Sequence, residues 1–458
     1  MSNRDLTEGA IWKALARLSA PMSFGILAVL SIGLADAYFL GQLGGTPLAA
    51  IGYIFPVTTA LSSLSIGLSA GANAALSQGI GRKDDDNEIV RLALHAFGLG
   101  LILSIMVAIA FLAVSRPIFG AMGATGEVAS EIQSYLPFWA LSFPFLVSMM
   151  LVNAVFRAHG DGTTSAVIMI LAAVVNISVN PVLIFGLGPV TAFGTQGAAM
   201  ASAVGQGVAA VVAVTYAVRK GMLVWGEAPL RGVWSSIAKV TKVGAPAALS
   251  NAINPMGMAL VTAAVATLGD AAVGGFGAAT RVQSVALVAL LALSAGIGPV
   301  VGQNWGADRQ DRARGAVRQA WIFCVAYGLI VAVGLSLFAR PIATMIASDA
   351  AAAEYTRQYL QIVGWSLFGY GILVTANAAM NARSKAAHSM GLSLSRIFIV
   401  YLPLAWVGVL VFGFTGVLAA AVAANLFAVF GAFVTGRATG LVETEVRVVA
   451  APARLLPG

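Results

Sequence analysis

The chain has 458 residues, of which 59% are hydrophobic and only 10% charged, with a mean hydropathy of +0.89. A soluble domain carries about 25% charged residues, so most of this surface must face lipid rather than water. The net charge of +8 comes from scattered loop residues and gives no nucleic-acid signal. One cysteine (Cys324) and three dispersed histidines (His95, His159, His388) exclude a disulfide framework and leave zinc chemistry without a ligand set.

Roughly 20 apolar residues cross a hydrocarbon core of about 30 Å as a helix. Twelve such stretches follow one another: 15–41, 48–79, 90–116, 130–158, 163–187, 195–218, 237–268, 272–303, 316–340, 355–382, 387–413 and 416–437. Lipid offers no partners to backbone amides and barrel-type alternation is missing, so each reads as a helix. The opening residues are polar and no cleavage site follows the first apolar stretch, which is therefore expected to stay in the mature protein.

The first span holds Asp36; the other seventeen of the eighteen acids fall in loops, tails or helix ends. Placing a carboxylate there costs roughly 2.5–3.5 kcal/mol on insertion scales. It should have either a function or a buried arginine as partner. Burial disfavours its charged form, so such a group can load a proton from one side and release it on the other. Tyr38 follows it as a candidate for the cleft wall. The second span contains Gly67-Leu68-Ser69-Ala70-Gly71, a serine-nucleophile pattern with no strand before it and no triad histidine; it reads as helix packing. Asn153, Met149 and Trp139 in the fourth span are candidates for polar coupling and an apolar cation pocket. In the fifth span Asn176 and Asn180 share one helix face, and Pro181 follows directly. Two amides there can serve a carboxylate or a small cation, or act as interhelical glue. Ser202 and Gln206 in the sixth span are further polar candidates.

The stretch 219–236, with Trp225, Pro229, Arg231 and Trp234, reads as a linker partly lying at the membrane interface. Beyond it, Arg281 and Arg396 are the two basic residues that lie away from the span ends. Ordinary structural roles compete with cleft lining for both. Span prolines (Pro21, Pro56, Pro144, Pro181, Pro246, Pro255, Pro299, Pro403) each allow a kink. With both termini in the cytoplasm, 21 of the 26 basic residues lie inside and 3 outside, with 2 in spans. This is the positive-inside bias of a multi-pass membrane protein, for which a bacterial inner (plasma) membrane is the expected location.

The chain repeats itself at an offset of 225 to 224 residues. Ala20-Pro21 recurs as Ala245-Pro246, and Leu68-Ser69-Ala70-Gly71…Gln78…Gly81 as Leu293-Ser294-Ala295-Gly296…Gln303…Gly306. Further on, Tyr135-Leu136…Asn153-Ala154 recurs as Tyr359-Leu360…Asn377-Ala378. A six-span repeat keeps its orientation, so two lobes related by an axis along the membrane normal are expected. The predicted units are an N-lobe over 1–218, a linker over 219–236, a C-lobe over 237–438 and a cytoplasmic tail over 439–458.

Taken together, these residues resemble the multidrug and toxic compound extrusion (MATE) family almost end to end. The resemblance rests on Ala20-Pro21, Asp36…Phe39-Leu40-Gly41, Gln78…Gly81, Asn153…Arg157-Ala158…Gly160-Asp161, Asn176…Asn180-Pro181, Gly197-Ala198-Ala199 and Gly302-Gln303-Asn304…Gly306-Ala307…Arg312-Ala313. It implies an all-α polytopic fold of twelve transmembrane helices in two pseudo-twofold-related six-helix lobes around a V-shaped cleft. It also implies export of lipophilic organic cations in exchange for H⁺ or Na⁺, by a monomer in a lipid bilayer, without cofactor or nucleic acid. The DNA-damage-inducible F branch is the closer match. Its first-helix aspartate carries onto Asp36, working with polar residues matching Asn153, Asn176, Asn180 and Ser202, and Pro21 matches a proline about which the first helix is proposed to bend. Many relatives have aspartate where this chain has Asn180; losing that charge weakens a Na⁺ site more than a proton site, so H⁺ is the expected coupling ion. A lipid-linked precursor flippase is the alternative from another class, and an intramembrane enzyme lacks any catalytic set.

Overall fold

The computed structural model describes residues 5–226, 228–347 and 349–443. Arg4, Glu227 and the predicted tail beyond 443 lie outside them. The described chain is helical throughout: α1 (Ile11–Leu43), α2 (Gly45–Arg82), α3 (Asp86–Ala121), α4 (Gly126–Ala158), α5 (Gly162–Phe185), α6 (Thr195–Arg219), α7 (Val233–Ala266), α8 (Asp270–Ala286), α9 (Val288–Gly306), α10 (Gln310–Ile346), α11 (Ala350–Val363), α12 (Leu367–Ala382), α13 (Ala386–Leu394), α14 (Leu402–Phe412) and α15 (Phe414–Ala438). Twelve helices are long and apolar enough to cross a membrane. Three of the predicted spans are interrupted. The eighth breaks into α8 and α9 at Leu287, the tenth passes through a 3-10 turn at Gly364–Ser366, and the eleventh widens into a π-helical stretch at Ser395–Tyr401.

Prolines do not set these breaks, with one exception. The helices run on through Pro21, Pro56, Pro144, Pro181, Pro246, Pro255 and Pro299. Pro403 alone directly follows an interruption, at the start of α14. Its ring clashes with the carbonyl four residues back, and the wider π stretch just before it accommodates that clash.

The repeat is visible in the packing. Ser69 Oγ donates to the Met150 carbonyl at 3.1 Å in the first lobe, and Ser294 Oγ donates to the Val374 carbonyl at 2.9 Å in the second. These are equivalent positions of the two copies. Each lobe has its own apolar core, yet the cores exchange segments. Leu15 and Leu18 at the start of α1 belong to the second lobe's core, while Val240 at the start of α7 belongs to the first. Lipid tails are as apolar as leucine, so close backbone approach rather than hydrophobic burial must hold such helices together.

At the pseudo-twofold axis, counterparts meet each other. A Cβ at Gly302 would lie 2.6 Å from Ser77 Cβ, and one at Gly298 would lie 3.3 Å from Asn73 Oδ1. On either side, Gly81 lies against the backbone of Gln303 and Gly306 against that of Gln78. Gln78 Nε2 reaches across to the Ala382 carbonyl (2.5 Å), and Gln303 Nε2 to the Ala158 carbonyl (2.8 Å). Each glutamine thereby satisfies a carbonyl at the C-terminus of a helix in the opposite lobe. Gln303 also accepts from the Leu6 amide (3.0 Å), while Asn304 Nδ2 and Arg309 Nη1 donate to the Leu6 and Thr7 carbonyls (3.0 and 2.6 Å). At the same end Arg314 Nε donates to the Gly440 carbonyl (3.0 Å), so both ends of the described chain sit together.

All these interlobe contacts fall in the halves of the helices nearest the N-terminus of α1. The lobes therefore close at that end, and the end bearing Asp36 makes none of them. The expected linker is pinned rather than free: His95 of α3 hydrogen-bonds Ser236 Oγ (2.9 Å) and the Pro229 carbonyl (2.6 Å). Trp225 and Trp234 stay exposed, as aromatic residues at a membrane interface do.

Candidate functional site

Asp36 is placed by the packing of α1 on α5. The two helices run parallel in a fixed register. Gly162 presses on Leu18, Gly25 on Met169, and Asp36 meets Asn180, each pair at the same offset of 144 residues. A Cβ at Gly25 would lie 3.1 Å from Ala166 Cα, which shows how closely the backbones approach. Three turns further along, about 16 Å, the same faces carry the carboxylate and the amide. Asn180 Nδ2 donates to Asp36 Oδ1. Among the described residues, no lysine, arginine or histidine forms an ion pair with Asp36.

One turn back on α5, Asn176 Nδ2 donates to Ser202 Oγ of α6 at 3.1 Å. The contact exists because Gly205 lets α6 approach: a Cβ there would sit 2.7 Å from the Ala172 carbonyl and 2.9 Å from Asn176 Cβ. Asn176 and Asn180 are buried, and the side-chain oxygens of both, with Oε1 of Gln206, are buried without a hydrogen-bond partner. A half-buried carboxylate thus adjoins two amides with spare acceptors. Such a group can bind a proton whose O–H finds an acceptor nearby, or a small cation held by oxygens.

The other sequence candidates part company here. Asn153 is fully buried, but near the closed end of α4, beside Asn73, whose Nδ2 donates to the Ala154 carbonyl (3.3 Å); neither of its side-chain polar atoms has a hydrogen-bond partner, so it is not bonded to Asp36. The helix order, not the residue type, separates them. Trp139 and Met149 are core residues of the first lobe, not cleft lining. Trp139 stacks on Phe143 with centroids 5.2 Å apart and meets Phe111 edge-on at 5.3 Å. Tyr38 is 65% exposed and packs edge-to-face on Phe39. Pro21 lies within α1, whose helix runs unbroken through it. Arg281 is exposed on α8, whereas Arg396 is buried in the second lobe.

Arg396 has a structured surround that the sequence did not announce. Its Nη1 and Nη2 donate to Asn254 Oδ1 (3.3 Å) and Asn425 Oδ1 (2.9 Å), and its guanidinium lies 5.3 Å from the centre of the Tyr370 ring. Asn425 in turn donates to Ser366 Oγ at 2.9 Å. The sequence signal was the Asn254, Asn425 and Arg396 trio within three predicted spans.

Two six-helix repeats around an axis, closed at one end and carrying polar groups in mid-span, define a polytopic membrane transporter. Comparison with known proteins makes the class specific. The MatE family model matches the chain twice, over residues 21–182 and 246–407, reproducing the internal offset. The chain belongs to the multidrug and toxic compound extrusion (MATE) family. It is 33% identical to the FAD transporter of Shewanella oneidensis over 92% of this chain and 93% of that protein. It is 27% identical to the probable multidrug resistance protein NorM of Thermotoga maritima, over 87% and 85%. The bent form of the Vibrio cholerae MATE transporter VcmN superposes with a TM-score of 0.87 at 27% identity, covering 94% of this chain and 98% of that one.

Proposed function

We propose that this transporter exports small organic cations in exchange for protons, with Asp36 as the coupling carboxyl, as in the DNA-damage-inducible F branch. The observation that carries the reading is the state of Asp36: a carboxylate within the last third of α1, bonded to a neutral amide and to no guanidinium. A permanently paired acid cannot cycle; this one can. Proton and cationic cargo then compete for one charge, which is what exchange requires. The chain would work as a monomer in a bacterial inner membrane, since both halves of the cleft come from one polypeptide. The closed end, where Leu6 and Gly440 lie, carries the basic excess and is assigned to the cytoplasm.

The test is efflux of an ethidium-like dye from proteoliposomes under separately imposed pH and Na⁺ gradients. A pH gradient should drive efflux by wild type, and Asp36→Asn should abolish the response. Undiminished pH-driven efflux in that variant would refute the mechanism. Efflux driven by Na⁺ alone would favour the second coupling reading, supported by the two unpartnered amide oxygens of Asn176 and Asn180. A different cargo, a flavin nucleotide, is supported by the likeness to the FAD transporter and by the positive charge of the second lobe.

A further inference from the structure

We infer that the second lobe holds a binding site for the phosphate group of an aromatic cargo, with the Arg396 guanidinium as its anion-facing charge. This deepens the flavin-nucleotide reading and rests on the cleft being the transport path.

Arg396 is buried in mid-span, where a cation is as costly as the carboxylate of Asp36. Among the described residues no acid pairs with it. Its two oxygen partners, on Asn254 and Asn425, are neutral, and its Nε–H is buried with no acceptor. A neutral donor would serve two amide oxygens without the cost of a charge, so interhelical glue does not account for the guanidinium. The backbone is also irregular just here. A π stretch, Ser395–Tyr401, carries Arg396, and such stretches are frequent at functional sites.

The Arg396 cluster occupies the same helices of its repeat as the Asp36 cluster: α7, the eleventh span and α15 stand where α1, α5 and α6 stand. The two lobes therefore offer charges of opposite sign that do not meet. Arg281, exposed about 16 Å along α8 from its outer end, cannot face hydrocarbon without large cost and adds a second positive charge facing water. Two arginines against one carboxylate suit a dianionic phosphate better than a monoanionic carboxylate. The Tyr370 ring beside the guanidinium gives an aromatic ligand a flat face.

The experiment measures equilibrium binding of FMN, riboflavin and carboxymethylflavin to the full chain in lipid nanodiscs. These share one ring system and differ in the anionic group. FMN should bind wild type about tenfold more tightly than riboflavin, the factor one charge-assisted hydrogen bond supplies, with carboxymethylflavin between them. Arg396→Met should bring the FMN-to-riboflavin ratio near one, and Arg281→Gln should lower it less. A merely structural arginine would weaken both ligands alike and leave the ratio intact, which would overturn the proposal, as would equal binding of FMN and riboflavin by wild type. Carboxymethylflavin binding as tightly as FMN would overturn the preference for phosphate. Should Arg396→Met fail to fold, Arg396→Lys decides: it keeps the charge but loses the fork, so the ratio should fall several-fold, and an unchanged ratio counts against the site. Failure of proton coupling would appear in the gradient response of Asp36→Asn, not in this ratio.

Discussion

Asn180 donates its amide N–H to Asp36 and keeps a buried oxygen without a partner. Replacing it by leucine removes a hydrogen bond to an ionisable group, worth about 1.5–3 kcal/mol when the acceptor is charged. Asn180→Leu should therefore cut pH-driven dye efflux at least tenfold while leaving folding, read by size-exclusion profile, unchanged. Asn180→Asp sets a second carboxylate within a hydrogen bond of the first. Two adjacent carboxylates in lipid cannot both stay charged without a cation between them, so this variant should acquire efflux driven by a Na⁺ gradient. A variant still indifferent to Na⁺ would show that residue 180 does not choose the ion. At this scale the sequence exposed Asp36, Asn176, Asn180 and Ser202, because a polar side chain in an apolar run stands out. It could not separate Asn153, which looks identical in the run and lies near the closed end. Nor could it tell that Trp139 and Met149 face the core, since every face of a buried helix is apolar.

The helices themselves were legible because lipid forbids other backbone solutions; their interruptions were not. Pro403 directly follows the π stretch, but Leu287 carries neither proline nor glycine, Gly364 is one glycine among many in the spans, and seven span prolines break nothing. Tertiary contacts decide, as at α6. There Gly205 brings the backbone onto Ala172 and Asn176, which positions Ser202 for its hydrogen bond. Gly205→Val inserts volume into that contact at a cost of about 1–3 kcal/mol and levers Ser202 away from Asn176. Thermal aggregation in detergent should begin at lower temperature than for wild type, and efflux should fall. Ser202→Ala removes the same hydrogen bond without moving a helix, so its thermal midpoint should stay near that of wild type. A matching loss of stability in both variants would show that the hydrogen bond, rather than the close approach, holds α6 to α5.

Across the whole molecule, closure is carried by a symmetric set: Gly81 on Gln303, Gly306 on Gln78, and the two glutamines each reaching a helix-terminal carbonyl of the other lobe. The repeat in the sequence foretold equivalent positions, but not that these would face each other across the axis. Alternating access requires this end to open, so its packing sets the balance between the two states. Ser77, fully buried against Gly302, reports on it. In a Cys324→Ala background, Ser77→Cys should react with a cytoplasmic thiol reagent only when the lobes part at that end. Gly81→Ala forces a methyl group into the Gln303 backbone in the closed state alone. A penalty of about 1.4 kcal/mol, within the usual range for overpacking, shifts the open-to-closed ratio about tenfold, and labelling should rise by that factor. Gly306→Ala should do the same, being its counterpart. The double variant should give less than the product of the two, because one wedge already relieves the interface that the other would strain. Gln78→Ala removes a hydrogen bond without a wedge and should raise labelling by less than either glycine variant. Labelling that stays at the wild-type rate in both glycine variants would mean that the balance is set at the Asp36 end, not where the lobes touch.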